Sequence, residues 1–325
     1  MVVAWGVLVW VRDGTNGSSA GSALPSTLAA SMIHLSTTVS RADRPAAVTT
    51  YVPVHPSVTI VLPTYNEAHR IGPALDELFG WLRRGGQPRT LGRSSDELGE
   101  WDVLVVDDGS DDDTVAIVEA RPEAQVSTVA DHDGTARLRV LRRSHAGKGA
   151  AVTAGILAAR GDLIIFADAD MATPPDQIPL LTEALLRFDL ALGSRIQPDG
   201  SDRRASQPLY RRLLGRVYRW IAGAWVTGDV PDTQCGFKGF RRDAGRDIFG
   251  RLRTGGIAFD AEVIFLSRRL GYRHVAVPVM WHDIRGSRMR VRPRLALGVL
   301  WDLLRIPILH RDVRRQSTPP AGGSS

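Results

Sequence analysis

Short apolar runs alternate with segments of helical periodicity between positions 58 and 167. The runs have the length and composition of buried strands and lie at Val58–Leu62, Val103–Val106, Leu138–Leu141, Leu163–Ala167 and, later in the chain, Gly236–Phe240 and His274–Val279. The helical segments are Ile71–Arg84, Thr114–Ala120 and Val152–Ala159, and a later one starts near Asp260 and runs to Leu270. Strands that alternate with helices pair mainly in parallel, through right-handed crossovers. We therefore predict an α/β fold with a mainly parallel, Rossmann-like sheet and flanking helices.

The alternating region belongs to a predicted folded domain at residues 57–290. Residues 1–56 are rich in Ser, Thr, Ala and Gly without a sustained period, and their apolar run Val2–Val11 is too short to span a bilayer. We predict a disordered or weakly anchored segment there. Residues 291–325 are predicted to hold an amphipathic helix and a disordered tail. Cys235 is the one cysteine, which excludes an intramolecular disulfide and favours a reducing compartment.

Two carboxylates follow the fourth predicted strand. Asp168 and Asp170 are two residues apart, so they project to the same side where the strand leaves the sheet. Open α/β sheets bind ligands beyond the carboxyl ends of their strands. Paired carboxylate oxygens suit Mg²⁺ or Mn²⁺, which completes its coordination with water and phosphate oxygens. A solvated acidic loop is the alternative, because Asp is also a common turn residue.

Other strand ends carry polar residues as well. Tyr65 and Glu67 follow the first strand, and Asp107 ends the second, where its carboxylate could accept hydrogen bonds from a nucleobase. Lys148 lies in a Gly-Lys-Gly turn before a predicted helix, so it could face either a phosphate or a neighbouring carboxylate. These positions point to a nucleotide site at the same edge of the sheet as the carboxylate pair.

The chain resembles family 2 glycosyltransferases in four ordered motifs, Pro63-Thr-Tyr-Asn-Glu67, Val105-Val-Asp-Asp-Gly-Ser110, Gly147-Lys-Gly149 and Asp168-Ala-Asp170. A later motif, Asp232-Thr-Gln-Cys-Gly-Phe-Lys238, is similar to the dolichyl-phosphate β-glucosyltransferase branch, to which the dolichyl-phosphate mannose synthases are related. The resemblance covers residues 57–290. It implies a GT-A catalytic domain, a nucleotide-sugar donor, and a divalent metal, Mg²⁺ or Mn²⁺, held by the paired aspartates.

The resemblance also implies roles by position. Nucleotide contacts fall on Pro63, Tyr65, Glu67, Val105 and Asp107. Contacts with the diphosphate and the metal fall on Asp168, Ala169 and Asp170. Basic residues near the phosphates match Arg195, Arg285 and Arg288. Asp232 could act as a base for a hydroxyl acceptor, or could orient the sugar or arginine side chains, and we count it with Asp168, Asp170 and Arg195 as catalytic candidates.

The expected reaction is inverting transfer of a hexose, with glucose from UDP-glucose as the first candidate, to polyprenyl or dolichyl phosphate. A phosphate monoester has a second pKa near 6 and needs no base, whereas a hydroxyl acceptor does. Transfer of mannose from GDP-mannose and transfer to a glycan hydroxyl with Asp232 as base are alternatives. A nucleotidyltransferase is a third alternative, of a different class, because it could use the same sheet and carboxylates.

Two segments are candidates for contact with a membrane surface. Leu209–Val226 combines arginines with tyrosines and tryptophans, and Arg294–Leu309 predicts a helix. The second helix would be about 24 Å long, short for a hydrocarbon core of roughly 30 Å, and Asp302 would lie near its middle. We predict an interfacial helix in the membrane plane, on a peripheral enzyme at the cytoplasmic face, with packing against the domain as the alternative. The sugar-donor motifs argue against nucleic acid as the partner.

Overall fold

The computed structural model describes residues 53, 55–85, 100–125, 137–197, 199, 201–202, 220–228, 230–282 and 293–313, with side chains of the last range from position 298 onward. The strands are β1 (Val58–Thr64), β2 (Trp101–Asp107), β3 (Arg137–Arg142), β4 (Leu163–Ala167), β5 (Leu190–Ser194), β6 (Phe237–Arg241) and β7 (His274–Pro278). The helices of the described part are α1 (Ala68–Arg83), α2 (Thr114–Glu119), α3 (Lys148–Ala158), α4 (Ile178–Leu185), α5 (Arg242–Phe249), α6 (Phe259–Arg269) and α7 (Pro293–Leu309).

The strands form one seven-stranded sheet in the order β3-β2-β1-β4-β6-β5-β7. β6 runs antiparallel to its neighbours β4 and β5, and every other pair is parallel. The prediction of an α/β fold with a mainly parallel sheet is confirmed. The strands β1 to β4, β6 and β7 correspond to predicted strands, whereas β5 and the helices α4 and α5 were not predicted.

Two apolar layers cover the faces of the sheet. Val58, Ile60 and Leu62 of β1 pack on the α1 side, whereas Val61 faces α3, as the period of two requires. Each such side chain stabilises the fold by about 1.5–3 kcal/mol when fully buried. α3 lies directly on β1, because a Cβ at Gly155 would be 2.3 Å from Val61 Cγ1. This close packing fixes α3, and with it the Gly-Lys-Gly turn, beside the carboxyl ends of the strands.

The helix α7 lies where the sequence predicts a helix, and it has two different faces. Leu303 and Ile306 are fully buried against α6 and the π-helical segment Gly223–Thr227, whereas Trp301 and Ile308 are 62% and 63% exposed. No helix in the described part of the chain is long and apolar enough to cross a bilayer. Packing on the domain therefore accounts for one face of α7 and leaves the other face open.

Candidate active site

The loops that follow β1, β2 and β4 meet at one edge of the sheet. Thr64 at the end of β1 is paired with Asp107 at the end of β2, and β4 is paired with β1 on its other side. These parallel registers bring Tyr65–Glu67, Asp107 and Asp168–Asp170 to neighbouring positions. The antiparallel β6 begins at the same edge, shortly after Asp232. The edge is the one at which open α/β sheets bind ligands.

Asp168 and Asp170 lie at this edge beside Lys148. The Lys148 Nζ atom is 2.6 Å from Asp168 Oδ1 and lies 5.5 Å from the centroid of the Phe166 ring. The carboxylate of Asp168 packs directly on Gly236, where a Cβ would come within 2.1 Å of Oδ2. Asp170 Oδ1 accepts a hydrogen bond of 3.1 Å from the Ala172 amide. Glycine at position 236 is therefore required for the Asp168 carboxylate to occupy this position.

The charge at this pair is not balanced by contacts within the described residues. Burial raises the pKa of Asp170, and the negative charge of Asp168 raises it further. The surroundings of the Lys148 ammonium lower its pKa by desolvation, but the charges of Asp168 and then Asp260 outweigh this, so the pKa of Lys148 is raised. The charges of Lys148 and Arg70 lower the pKa of Asp170 but do not outweigh burial and Asp168. The ionised form of Asp170 therefore carries a free-energy cost that a bound cation would remove.

The residues present fit a divalent metal. The donors at Asp168 and Asp170 are carboxylate oxygens, which Mg²⁺ and Mn²⁺ prefer, and their excess negative charge favours a cation. Within the described ranges, no group of three or more His, Cys, Asp or Glu side chains is arranged to hold a metal ion. A metal at the aspartate pair would therefore take its remaining ligands from water and from phosphate oxygens.

Asp107 shapes the loop after β2. Its Oδ2 atom accepts hydrogen bonds from the amides of Gly109 and Ser110 at 3.2 and 3.1 Å, and its Oδ1 accepts one from the Ser110 hydroxyl. Gly109 has φ 78°, in the left-handed region that glycine adopts without strain. The carboxylate is 3% exposed and is held in a fixed orientation. Asp107 therefore closes a turn at the predicted nucleotide position. A bound base could donate a hydrogen bond only to the lone pairs of Asp107 that this turn leaves available.

A stacked aromatic pair next to this turn was missed by sequence reasoning. The rings of Tyr65 and His145 lie 4.1 Å apart, at 23° to each other, and both are partly exposed. The Asp108 carboxylate contacts His145, whose Nδ1 atom lies 2.8 Å from Oδ2. Asp108 Oδ2 also accepts a hydrogen bond of 2.8 Å from the Gly147 amide. The pair forms a flat surface at the rim of the strand ends. His145 gave no signal in the sequence, because the stacking depends on two distant loops.

Arg195 and Asp232 form a buried, two-point ion pair. The Arg195 Nε and Nη2 atoms donate to Asp232 Oδ2 and Oδ1 at 2.7 and 2.8 Å, and the Arg195 amide donates to Oδ2 at 3.0 Å. Asp232 is 2% exposed, and the guanidinium of Arg195 lies 5.7 Å from the ring centroid of Trp281. Both oxygens of Asp232 are therefore already in use, which suits a role in orienting Arg195 better than a role as a base.

The remaining predicted site residues have varied positions. Glu67 precedes α1, where its carboxylate lies 3.4 Å from an Arg70 nitrogen. Val105 is 1% exposed in the core beside α1, so contact with a nucleotide would come from its backbone. Pro63 near the end of β1 is partly buried, and Ala169 between the paired aspartates is buried. The predicted phosphate contacts Arg285 and Arg288 lie outside the described residues.

Comparison with known proteins identifies the family. Residues 59–249 match the model of glycosyl transferase family 2. The chain belongs to this family. It is an enzyme of the glycosyltransferase class with a GT-A fold, so the predicted family, fold and enzyme class are confirmed.

Several curated relatives are dolichyl-phosphate beta-glucosyltransferases. This family 2 glycosyltransferase is 32% identical over 270 residues to a dolichyl-phosphate beta-glucosyltransferase of Trichomonas vaginalis, a match that covers 81% of this chain and 74% of the relative. Proteins of the same name match at 31% identity in Drosophila melanogaster and 28% in Homo sapiens, each over 71% of this chain and 69% of the relative.

A solved structure supports the fold. The crystal structure of mannosyl-3-phosphoglycerate synthase from Rubrobacter xylanophilus superposes with a TM-score of 0.50 at 19% identity. The superposition covers 82% of this chain and 79% of that one. At this identity the likeness bears on the fold alone, and the substrates of this glycosyltransferase must be argued from its own site and from its closer relatives by sequence.

Proposed function

We propose that this enzyme transfers glucose, with inversion, from UDP-glucose to polyprenyl or dolichyl phosphate. The observation that carries the proposal is the pair Asp168 and Asp170 beside Lys148, where excess negative charge meets one lysine at the strand ends. This is the arrangement needed to bind a metal and a donor diphosphate together. The relatives named dolichyl-phosphate beta-glucosyltransferase support glucose as the sugar and a lipid phosphate as the acceptor.

The leaving group is the nucleoside diphosphate. Asp168 and Asp170 would hold Mg²⁺ or Mn²⁺, which when bound stabilises the negative charge that develops on the departing diphosphate. Lys148 lies next to Asp168 and supplies a second positive charge from the protein. The Tyr65 and His145 rings offer a stacking surface for the base at the same edge.

The acceptor is proposed to be a phosphate because the site has no committed base among the described residues. Asp232, the candidate base, has both oxygens occupied by Arg195. An anionic phosphate oxygen is already deprotonated at neutral pH, since the second pKa of a monoester is near 6. It can attack the anomeric carbon from the face opposite the diphosphate without general-base help. A hydroxyl acceptor would first require Asp232 to leave Arg195.

The acceptor lipid places the enzyme at a membrane surface, and the structure offers a suitable patch. Large apolar side chains stand exposed on α7 and the adjoining segment before Gly228, namely Trp220, Trp225, Trp301, Leu304 and Ile308. Trp225 Nε1 donates to the Leu304 carbonyl at 3.3 Å, which joins the two parts, and Arg305 lies over the Trp301 ring. Aromatic rings with a neighbouring arginine are typical of interfacial segments. We call this set the aromatic patch.

The aromatic patch also lies close to the donor site. A Cβ at Gly256 would be 3.7 Å from Asp302 Oδ2 of α7, and Gly256 in turn packs against the start of α3 beside Lys148. A lipid whose phosphate reaches the catalytic edge would leave its chain in the bilayer next to this helix. With the single cysteine favouring a reducing compartment, we place the enzyme peripherally at the cytoplasmic face.

A panel of donors with purified polyprenyl phosphate tests the proposal. The full-length chain is incubated with UDP-glucose or GDP-mannose and Mn²⁺, and the lipid product is measured by mass together with the released nucleotide. We expect a polyprenyl phosphate carrying one hexose, formed from UDP-glucose with release of UDP. A product from GDP-mannose alone would assign the enzyme to mannose transfer, and release of pyrophosphate would replace the proposal with a nucleotidyltransferase. Asp170→Asn serves as the inactive control.

A further inference from the structure

A buried ion pair lies next to the donor site and has no role in the chemistry above. Lys238 of β6 and Asp260 of α6 are 1% and 5% exposed, and the Nζ and Oδ1 atoms lie 2.6 Å apart. Lys238 Nζ also donates to the Cys235 carbonyl at 2.5 Å. A buried ion pair often stabilises a fold no more than apolar side chains of the same size would. The fold alone therefore does not explain why these two charges are placed here.

The pair lies close to Lys148, because Lys238 and Lys148 both adjoin Phe166. Lys238 is in register with Phe166, the residue whose ring lies under the Lys148 ammonium. Asp260 is in the first turn of α6, and a Cβ at Gly149 would be 3.0 Å from the Cβ of Phe259, its neighbour. The ring centroids of Phe259 and Phe166 lie 6.3 Å apart, so the first turn of α6 reaches the residue whose ring lies beneath the Lys148 ammonium. The charges alternate in sign in the order Asp168, Lys148, Asp260 and Lys238.

The backbone on both sides of Lys148 is held by close packing. Gly147 has φ 96°, and a Cβ at Gly149 would lie 2.8 Å from the Gly255 carbonyl oxygen and 3.0 Å from that of Gly256. A side chain at either position would collide or be strained, so the turn has little freedom. What remains adjustable is the long, flexible side chain of Lys148, which follows the surrounding charges.

We propose that the buried pair of Lys238 and Asp260 positions Lys148 for the donor diphosphate. Asp260 on α6 attracts the ammonium of Lys148, so that Asp168, which contacts this ammonium at 2.6 Å, shares it and keeps negative charge for a metal. Lys238 balances Asp260 and prevents it from capturing Lys148 completely. The ammonium thus stays between the two aspartates, where it can face the diphosphate. The inference rests on the donor site of the proposed function, but it does not depend on which base or sugar the donor carries.

Binding of a nucleoside diphosphate tests the inference without turnover. Affinity for UDP, and in parallel for GDP, is measured by calorimetry with Mn²⁺ on the full chain, and thermal unfolding is followed for each variant. We expect Asp260→Asn to weaken binding about tenfold, the size of coupling between neighbouring charged groups. In a Lys148→Met background, Asp260→Asn should cause no further loss, because Asp260 acts through Lys148.

A double variant separates positioning from folding. Asp260→Asn with Lys238→Met removes both charges, so stability should recover relative to either single change, while nucleotide affinity stays low. Recovery of affinity together with stability would overturn the inference, as would wild-type affinity in Asp260→Asn or an undiminished effect of Asp260→Asn without Lys148. Asp189→Asn, which breaks a buried pair at the opposite end of the sheet, is the matched control and should lose stability but keep affinity.

The same measurements distinguish this inference from the proposed function. If GDP binds and UDP does not, the proposed donor is wrong, yet the variants still report on the diphosphate through GDP. If UDP binds and Asp260→Asn leaves its affinity unchanged, the donor stands and the positioning role falls.

Discussion

Both ends of the sheet contain buried or half-buried aspartates, but the two ends differ in how many of these aspartates contact a basic side chain. At the amino end of the parallel strands, each buried or half-buried aspartate faces an arginine. Asp102 accepts from Arg139 Nε at 2.8 Å, Asp162 is paired with Arg242, and Asp189 Oδ1 lies 3.5 Å from Arg241 Nη1. These pairs fasten neighbouring strands and the loops that enter them.

At the carboxyl end the balance is different. Among the described residues, Lys148 is the cation in contact with Asp168, and Asp170 has no cation in contact with it. Burial and then the charge of Asp168 raise the pKa of Asp170, so its ionised form is disfavoured at this site. The carboxyl end also contains balanced pairs, such as Arg195 with Asp232. The comparison therefore teaches that the uncompensated carboxylates Asp168 and Asp170, and not charge as such, mark the end of the sheet that binds a ligand.

The largest expected effect comes from removing one charge at the carboxyl end. Asp170→Asn keeps the size of the side chain but loses a metal oxygen with its charge, so turnover should fall by about three orders of magnitude. Because ionised Asp170 is disfavoured in the fold, the melting temperature should stay the same or rise. Mn²⁺ binding, followed by electron paramagnetic resonance, should weaken in parallel.

The interpretation of the carboxyl end as the ligand-binding end depends on the loss of activity in Asp170→Asn. A folded Asp170→Asn enzyme that retains full activity with a chelator present would mean that the pair holds no metal. The two ends of the sheet would then differ in charge for a reason unrelated to catalysis.

The reverse pattern is expected at the amino end. Asp189→Asn removes the carboxylate that faces the buried Arg241 guanidinium, which still donates to the Leu185 and Leu186 carbonyls. The loss of the charged partner should cost about 3 kcal/mol of the free energy of unfolding. Turnover per folded molecule should be unchanged, because Asp189 lies at the opposite end of the strands from Lys148. Urea unfolding and single-turnover rates on the same sample measure the two quantities. A drop in the rate without a loss of stability would contradict the comparison.

Glu262 provides an intermediate case, because it lies near the site yet both of its carboxylate oxygens accept hydrogen bonds. Burial alone would raise its pKa, but hydrogen bonds from His310, Thr254 and the amides of Arg253 and Thr254 outweigh burial, so the pKa of Glu262 is lowered. The His310 Nε2 atom lies 2.5 Å from Glu262 Oε1, and both side chains are fully buried. Glu262 thus ties the end of α7 to the loop that packs on the Lys148 turn.

The pH dependence of this acid follows from the direction of its shift. A carboxyl with a lowered pKa stabilises the fold above its ordinary value of 4.5, and that contribution disappears as the pH falls through the folded-state pKa. Glu262→Gln should therefore lose about 2 kcal/mol of stability at pH 7. Its difference from wild type should narrow below pH 4.5. A difference that is constant from pH 7 down to the acid transition would show that the charge of Glu262 is not what stabilises the loop.

The sequence predicted the elements whose pattern is local. The apolar runs of β1 to β4 are long enough to identify, whereas β5 is a five-residue run that ends in glycine and serine and resembles a loop. The start of α3 was placed four residues late, at Val152, because Gly147 and Gly149 hide the helix signal in its first turn. In both cases tertiary packing, not propensity, decides the structure.

In the candidate site, too, the features with a local sequence pattern were predicted and those set by tertiary packing were not. Asp168, Asp170 and Lys148 were predicted from motifs and do come together at one sheet edge. The stacking of His145 on Tyr65 and the burial of Lys238 against Asp260 were not predicted, because they join residues far apart in the chain. Spacing along the sequence carries no information on such pairs until the register of the strands is known.

The smallest expected effect concerns the aromatic patch, which lies at the catalytic side and adjoins Arg305 and its neighbour Asp302, 4.0 Å apart. Removing all of α7 would delete the buried Leu303 and Ile306 and so test folding instead of binding. Trp301→Ser and Arg305→Gln change exposed positions, and each basic residue near anionic lipid contributes about 1 kcal/mol. Each change should weaken liposome binding severalfold, the Arg305 variant most at low salt.

Activity should follow membrane binding for one acceptor and not for the other. A long polyprenyl phosphate stays in the bilayer, so the Trp301 and Arg305 variants should lose turnover on it, while a short, soluble prenyl phosphate should be used at nearly the wild-type rate. Leu186→Ser is the matched control, because Leu186 is 45% exposed at the end of α4, outside the patch. Equal liposome binding and equal acceptor ratios in all these variants would mean that the exposed face of α7 does not contact lipid. Attachment would then have to come from the arginine-rich segment before Trp220, and the uncompensated carboxyl end would be the one feature that marks the functional side of the sheet.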